Sequence, residues 1–303
     1  MRIRKEGPFV QKLFDPALRL FMPRSQPSEN ITPIGNMIVG KVLETGFAVS
    51  RFEPGVEVYA WLPMRDIHQE HESLFQELNG LTPEQALFLD PGLFALTAVH
   101  DGGVKHSDYV FITGLGAIGL MTVQLAVLSG AKVYAEGSME NRRILAKHFG
   151  AVEVLDGASI TDIGRVLKEM TGGRGVDVAI ECSGKYSRLD AAIRSTSSCG
   201  KVVTVGFYPG AATDLNLGEE FFHNRITLLA SNPALRWDNA DRNYPLWTSA
   251  RHMSAIAEIL KSGKLRVEKM LYPTFKFSEV PKAVDTILNE PEKVVKVCVR
   301  IDS

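Results

Sequence analysis

Gly114-Leu115-Gly116-Ala117-Ile118-Gly119 is the stretch of this chain whose residue types and spacing point most directly to chemistry. Glycines so spaced between a strand and a helix allow a tight turn, bring backbone N–H groups against a pyrophosphate and let the helix pack close to the strand. The helix that follows turns its positive end toward the anion. The ligand of such a loop is a dinucleotide, so all six residues are candidates for cofactor binding; the alternative is a glycine-rich packing turn with no ligand.

Roughly 20 residues beyond such a loop, an acidic side chain at the end of the second strand ordinarily accepts hydrogen bonds from the adenosine ribose. Counting back from Gly150-Ala151 places Gly137 there. Glu136 stands one residue early and by strand alternation points to the other face, although a one-residue shift of the loop would make it the ribose acid after all. Gly137 removes a carboxylate that would repel a 2′-phosphate, Ser138 offers a hydroxyl, and Arg142 and Arg143 stand on the next helix. This set favours NADP over NAD. The alternative for the arginine pair is a solvated helix face.

These residues need a frame that repeats strand and helix. Strands are expected at 109–113, 132–136, 153–156, 176–182, 201–206 and 226–230, with amphipathic helices at 118–129, 141–149, 160–170 and 188–197 between them. Six such strands make an α/β, doubly wound parallel sheet. The first ninety or so residues read as mostly β, with strands at 37–45 and 55–62. Helices at 249–261 and 279–289 and a strand at 293–301 close the chain. The uncharged run 110–131 has the length of a bilayer span, but Gly114, Gly116 and Gly119 within six residues, with Thr113, Thr122 and Gln124, read as strand, turn and buried helix.

Composition narrows the classes. The chain has 303 residues, 45% of them hydrophobic, with 34 Lys and Arg against 35 Asp and Glu, which leaves no basic footprint for nucleic acid or an anionic membrane. Cys182, Cys199 and Cys298 form no CxxC pair and no disulfide framework. The basic N-terminus lacks the apolar stretch of a signal peptide, so the expected location is cytoplasmic.

Further residues carry a family resemblance. Gly35-Asn36-Met37-Ile38-Val39-Gly40-Lys41-Val42 with Phe52-Glu53-Pro54-Gly55-Val56-Glu57-Val58 is similar to a Gly-His-Glu…Gly…Val strand and its Gly-Asp-x-Val turn. Asp90-Pro91 through Ala95-Leu96-Thr97-Ala98-Val99, Gly130-Ala131-Lys132-Val133, Ala146 to Ala151, Asp177 with Glu181-Cys182-Ser183-Gly184, and Gly200 to Phe207 follow in the same order. Together they resemble the medium-chain dehydrogenase/reductases, in the alcohol, polyol and sugar dehydrogenase-like branch. The resemblance implies a mostly β GroES-like catalytic domain at 1–92, a Rossmann cofactor domain at 93–233, and a C-terminal part at 234–303 that returns to the catalytic domain. It implies that Cys182, Ser183 and Gly184 border the cofactor, that Gly206, Phe207 and Tyr208 lie near the nicotinamide ribose, and that Ser231 and Asn232 lie near the carboxamide. Strand-end turn and core roles are the alternatives. It also implies a homodimer or tetramer, with 226–230 as the edge strand that pairs.

The chain departs from that family where the metal would be. Zinc-dependent members use a Cys, a His and a further Cys, Asp or Glu. Here Asn36 and Met37 occupy the His-Glu position, no cysteine precedes Cys182, and only Asp90 stands at a ligand position. A charged segment at 62–81 replaces the cysteine-rich lobe; its His68 and His71 could share one helix face and bind metal, but Glu70 and Glu72 point instead to a solvated surface helix. No metal is expected. The acid/base candidates are then Asp90 and, after it, His100, with Tyr59 and Asn36 weaker; a helix cap and a satisfied interdomain histidine are the alternatives. The expected function is zinc-independent, NAD(P)-dependent hydride transfer to or from a small-molecule alcohol or carbonyl, polyol- or sugar-like. The other readings are a reductase of activated C=C bonds or quinones and a nucleotide-binding protein without turnover.

Overall fold

The computed structural model describes residues 12–23, 34–233 and 242–301. The segment 1–27 is therefore described only in part, and the expected boundary at 233/234 adjoins residues outside the described set. Near the N-terminus, β1 (Lys12–Asp15) and β2 (Leu20–Pro23) form an antiparallel hairpin. An antiparallel sheet follows, made of β3 (Ile38–Lys41), β4 (Glu57–Ala60) and β5 (Gln76–Glu77). Thr82 caps the one-turn helix α1 (Pro83–Ala86), and α2 (Leu89–Gly102) leads into the central sheet.

The sheet alternates β6 (Tyr109–Thr113), α3 (Ala117–Leu128), β7 (Lys132–Gly137), α4 (Glu140–His148), β8 (Glu153–Asp156), α5 (Ile163–Met170), β9 (Val176–Glu181), α6 (Tyr186–Ser195), β10 (Thr196–Thr204) and β11 (Thr227–Ala230). All neighbours are parallel, in the order β11-β10-β9-β6-β7-β8. Apolar residues cover both faces because helices lie on both. Val110 and Ile112 join one core cluster with Leu120, Val178 and Ile180, whereas Phe111, between them, joins the other with Leu167, Ala179 and Ile193. The uncharged run 110–131 becomes β6, the glycine loop and α3, and among the described residues no helix is long and apolar enough to cross a membrane.

Three expectations are corrected. Helix α5 begins at Ile163 rather than 160, because the Asp162 side chain accepts from the Arg165 N–H at 2.9 Å and caps it there. Strand β10 begins at Thr196 rather than 201, with a register shift before Lys201 and Cys199 at φ 58°. The segment 62–81 is not a surface helix. It holds one 3₁₀ turn, Glu72–Leu74, capped by His71, and the Glu72 carboxylate accepts from the Ser50 and Arg51 N–H groups, which ties the segment to the β3–β4 loop. His68 and His71 therefore share no helix face.

The C-terminal elements are α7 (Ser249–Lys261), β12 (Leu271–Lys276), α8 (Val280–Asn289) and β13 (Lys296–Arg300), with β12 and β13 parallel. They pack back on what precedes them. The Gln85 amide donates to Leu260 O at 3.0 Å, and a β-carbon at Gly92 would stand 2.8 Å from Ile256 and 3.0 Å from Met121. Helix α2 is thereby held between α7 and α3.

The approach of α3 to the loop before it sets a stability test. A β-carbon at Gly119 would lie 1.9 Å from the Gly114 carbonyl oxygen, whereas one at Gly116 would meet nothing within 4 Å. Gly119→Ala should cost at least about 2 kcal/mol through forced backbone displacement, and Gly116→Ala under about 1 kcal/mol, the ordinary loss at a helix cap. Urea unfolding midpoints measure both, and equal losses would contradict this packing.

Candidate cofactor crevice and active site

The strand order reverses between β6 and β9, and ligands of such sheets bind outside the carboxyl ends of the strands at that point. Gly114 follows β6 with φ 91°, and a β-carbon there would lie 2.6 Å from the Ser183 nitrogen. Gly116 caps α3 with no side-chain cap and with open space where a β-carbon would stand, and the first N–H groups of the helix, from Ala117 and Ile118 to Gly119, have no partner within the helix. Leu115 is buried and packs against Gly137. The structure thus brings together the end of β7 and the six-residue loop.

Glu136 is withdrawn from any ribose. It is buried, its Oε2 accepts from the Thr113 hydroxyl at 2.5 Å, and Arg188 stands 3.6 Å from its Oε1. The two arginines of α4 separate. Arg143 donates to Gly137 O and to Asp156, both at 3.0 Å, and so stays beside the strand end, where Ser138 is exposed. Arg142 is a correction: its guanidinium donates to Val294 O at 2.6 and 3.0 Å and to Pro291 O at 3.1 Å. It ties α4 to the C-terminal segment and leaves the 2′-phosphate set, because consecutive helix residues point about 100° apart.

On the other side of the crevice, Ser183, Gly184, Gly206 and Tyr208 converge on one carboxylate. The Ser183 N–H donates to Glu181 Oε1 at 2.7 Å, and the Gly184 N–H to both oxygens at 3.2 and 3.1 Å. The hydroxyls of Ser183 and Tyr208 donate to it as well. Gly206 lies against Gly184, where a β-carbon would be 2.2 Å from the Gly184 nitrogen, and a β-carbon on Gly184 would be 2.3 Å from Phe207 O. Burial and the Glu181 charge push the Cys182 thiol and the Tyr208 phenol upward, so both stay protonated. At the end of β11, the buried Ser231 hydroxyl has no hydrogen-bond partner among the described residues, and Asn232 follows it exposed. An orphaned hydroxyl at this edge fits a ligand that supplies the missing partner.

Asp90 opens α2, 8% exposed, two residues before the glycine that meets Met121 of α3. Its Oδ2 accepts from the Asn36 amide at 2.8 Å and its Oδ1 from the Trp61 indole at 3.2 Å. Tyr59 meets Trp61 edge-on at 5.7 Å, and burial pushes its phenol upward. Lys296 at the start of β13 is pushed down by burial, and the Asp90 charge opposes that shift. Trp61 and Lys296 were not singled out from the sequence. Trp61, two residues beyond Tyr59, and a lone lysine within an apolar terminal run were their signals.

These donors do not make a zinc site. Asp90 is engaged at both oxygens by N–H groups, the Asn36 amide presents hydrogen rather than a lone pair to it, and Met37 is buried in the core. Among the described residues no three His, Cys, Asp or Glu gather as a metal site. His100 is a further correction. It lies ten residues along α2 from Asp90, about 15 Å at 1.5 Å per residue. Its Nδ1 is 3.2 Å from Nε2 of His252, which is 1% exposed, and its ring packs on Trp247. The cause is the return of α7, which covers that end of the helix.

Residues 117–236 match the family model described as zinc-binding dehydrogenase. The chain is 30% identical over 305 residues to D-guloside 3-dehydrogenase of Escherichia coli strain K12, covering 97% of this chain and 86% of that protein. Among solved structures, 2R,3R-butanediol dehydrogenase from Bacillus subtilis superposes with a TM-score of 0.71 at 22% identity, over 89% of this chain and 80% of that one. A zinc-binding dehydrogenase from Sinorhizobium meliloti 1021 bound to NADP does so with a TM-score of 0.69 at 23% identity, over 91% and 84%. The chain belongs to the alcohol dehydrogenase-like branch of the medium-chain dehydrogenase/reductase superfamily.

Proposed function

We propose that the protein is a zinc-independent oxidoreductase that uses NADP(H) in preference to NAD(H) and interconverts a secondary alcohol of a sugar or polyol derivative and its ketone. The observation that carries this reading is the Asp90 carboxylate, clamped by Asn36 and Trp61 where α2 meets the helix of the phosphate loop. The likeness to D-guloside 3-dehydrogenase over nearly the whole chain supports the substrate class. The division into 1–92, 93–233 and 234–303 belongs to the same proposal.

A bound nicotinamide dinucleotide supplies the hydride acceptor or donor. The N–H groups at the start of α3 would hold its diphosphate, and the unpartnered Ser231 hydroxyl would be available to its nicotinamide half. Asp90 takes the proton of the substrate hydroxyl in oxidation and returns it in reduction. Asn36 and Trp61 hold the carboxylate in one orientation. In place of a Lewis acid, this arrangement offers a protein base.

Three outcomes test the reading. Gly116→Val, which the open space around Gly116 allows to fold, should abolish NADPH binding measured by fluorescence titration; unchanged affinity would overturn the phosphate-loop role. NADPH should bind at least about tenfold more tightly than NADH, and Arg143→Ala should remove most of that margin, since a charge-assisted contact contributes about 1.5–3 kcal/mol. Tighter binding of NADH would reverse the assignment. Asp90→Asn, which keeps the size of the side chain, should lower kcat by about 100-fold or more in enzyme whose activity resists EDTA. Stoichiometric zinc whose removal abolishes turnover would refute zinc independence.

A further inference from the structure

We infer that Glu181 biases the crevice toward the oxidised nicotinamide: an uncompensated carboxylate under that half of the site attracts the positively charged ring and gains nothing from the neutral reduced ring. The inference rests on the cofactor reading above and goes beyond it, since it concerns which redox state is held.

Three observations converge. First, Glu181 is fully buried yet has no ion pair among the described residues, whereas the other buried glutamate, Glu136, has Arg188 at 3.6 Å. Its partners are dipoles: the N–H groups of Ser183 and Gly184 and the hydroxyls of Ser183 and Tyr208. They satisfy its lone pairs and leave its net charge. A buried carboxylate without a cation is costly to keep, and a site that receives a cation offsets that cost. Second, its place is fixed by topology. Glu181 ends β9, in register with Thr113 at the end of β6, directly before the phosphate loop. The ribose position of the adenosine half belongs to β7, on one side of β6, so the nicotinamide half lies over β9 and its outer neighbours. Third, Tyr208 and Cys182 adjoin this carboxylate, and burial first, then the Glu181 charge, push both toward their neutral forms.

The charge balance of the reaction gives the consequence. In oxidation, the carbinol C–H bond breaks and its electron pair and hydrogen form the new C–H bond at the nicotinamide ring. The C=O bond forms, and the hydroxyl proton goes to Asp90. The ring passes from one positive charge to none, so a fixed negative charge stabilises only the reactant form of the cofactor. At an effective dielectric of about 20, a unit charge about 10 Å away shifts such a ratio by roughly tenfold.

The test is the ratio of dissociation constants for NADP+ and NADPH, measured by titration on the full chain. Glu181→Gln keeps the shape and loses the charge, and it should raise Kd(NADP+)/Kd(NADPH) by roughly tenfold. A merely structural role would weaken both forms alike, so an unchanged ratio overturns the inference. Tyr208→Phe keeps the charge and removes one neutralising dipole, so it should lower the ratio; this variant decides the matter should Glu181→Gln fail to fold, and a raised or unchanged ratio overturns the inference. If the wild-type chain binds neither form, both this inference and the cofactor reading fall; binding with unmoved ratios removes this inference alone.

Discussion

Backbone meets backbone at the carboxyl edge of the central sheet, and the rest of the site is arranged around that contact. Gly119 lies on the Gly114 carbonyl, Gly114 on Ser183, and Gly206 on Gly184, each closer than a methyl group would permit. Without these approaches α3 could not seat its first turn beside β6, and the turns after β9 and β10 could not close on the same crevice. The helix end, with its unsatisfied N–H groups, and the ends of three strands therefore converge on one volume. Close packing here is a means of aiming polar groups.

Three acids are buried among the described residues, and each is held in a different way. Glu136 has a cation, Arg188, and a hydroxyl from Thr113. Asp90 has two N–H donors and the nearby Lys296 charge. Among the described residues Glu181 has dipoles alone. Since the cost of burying a charge depends on what compensates it, the three acids stand in three different electrostatic environments.

The C-terminal third gives this edge its enclosure. Arg142 reaches the carbonyls before β13, α7 packs on α2 through Ile256 and His252, and β13 brings Lys296 to Asp90. A residue on α2 thus meets the site or leaves it according to its distance along the helix. Asp90 lies at the end near α3, and His100 lies under α7.

Much of the frame was legible in the sequence. Runs with a two-residue or a helical period located five of the six strands and most of the helices to within a few residues, and α7 at 249–261 to the residue, because those periods reflect local backbone geometry. The glycine loop was legible for the same reason, since its spacing and its strand-helix context are local. The start of β10, the segment 62–81 and the cap of α5 were not, because a bulge, a carboxylate from a neighbouring loop and a side-chain cap override the periodic pattern. Family resemblance placed Asn36 and Asp90 at related positions, but only the tertiary structure joined them across 54 residues and added Trp61 and Lys296. The same holds for the adjacent Arg142 and Arg143, of identical type, which were parted by the helix rotation between them and by what packs on each face. Periodicity is a property of the chain next to itself; which charge a buried acid meets depends on segments brought together only when the core closes.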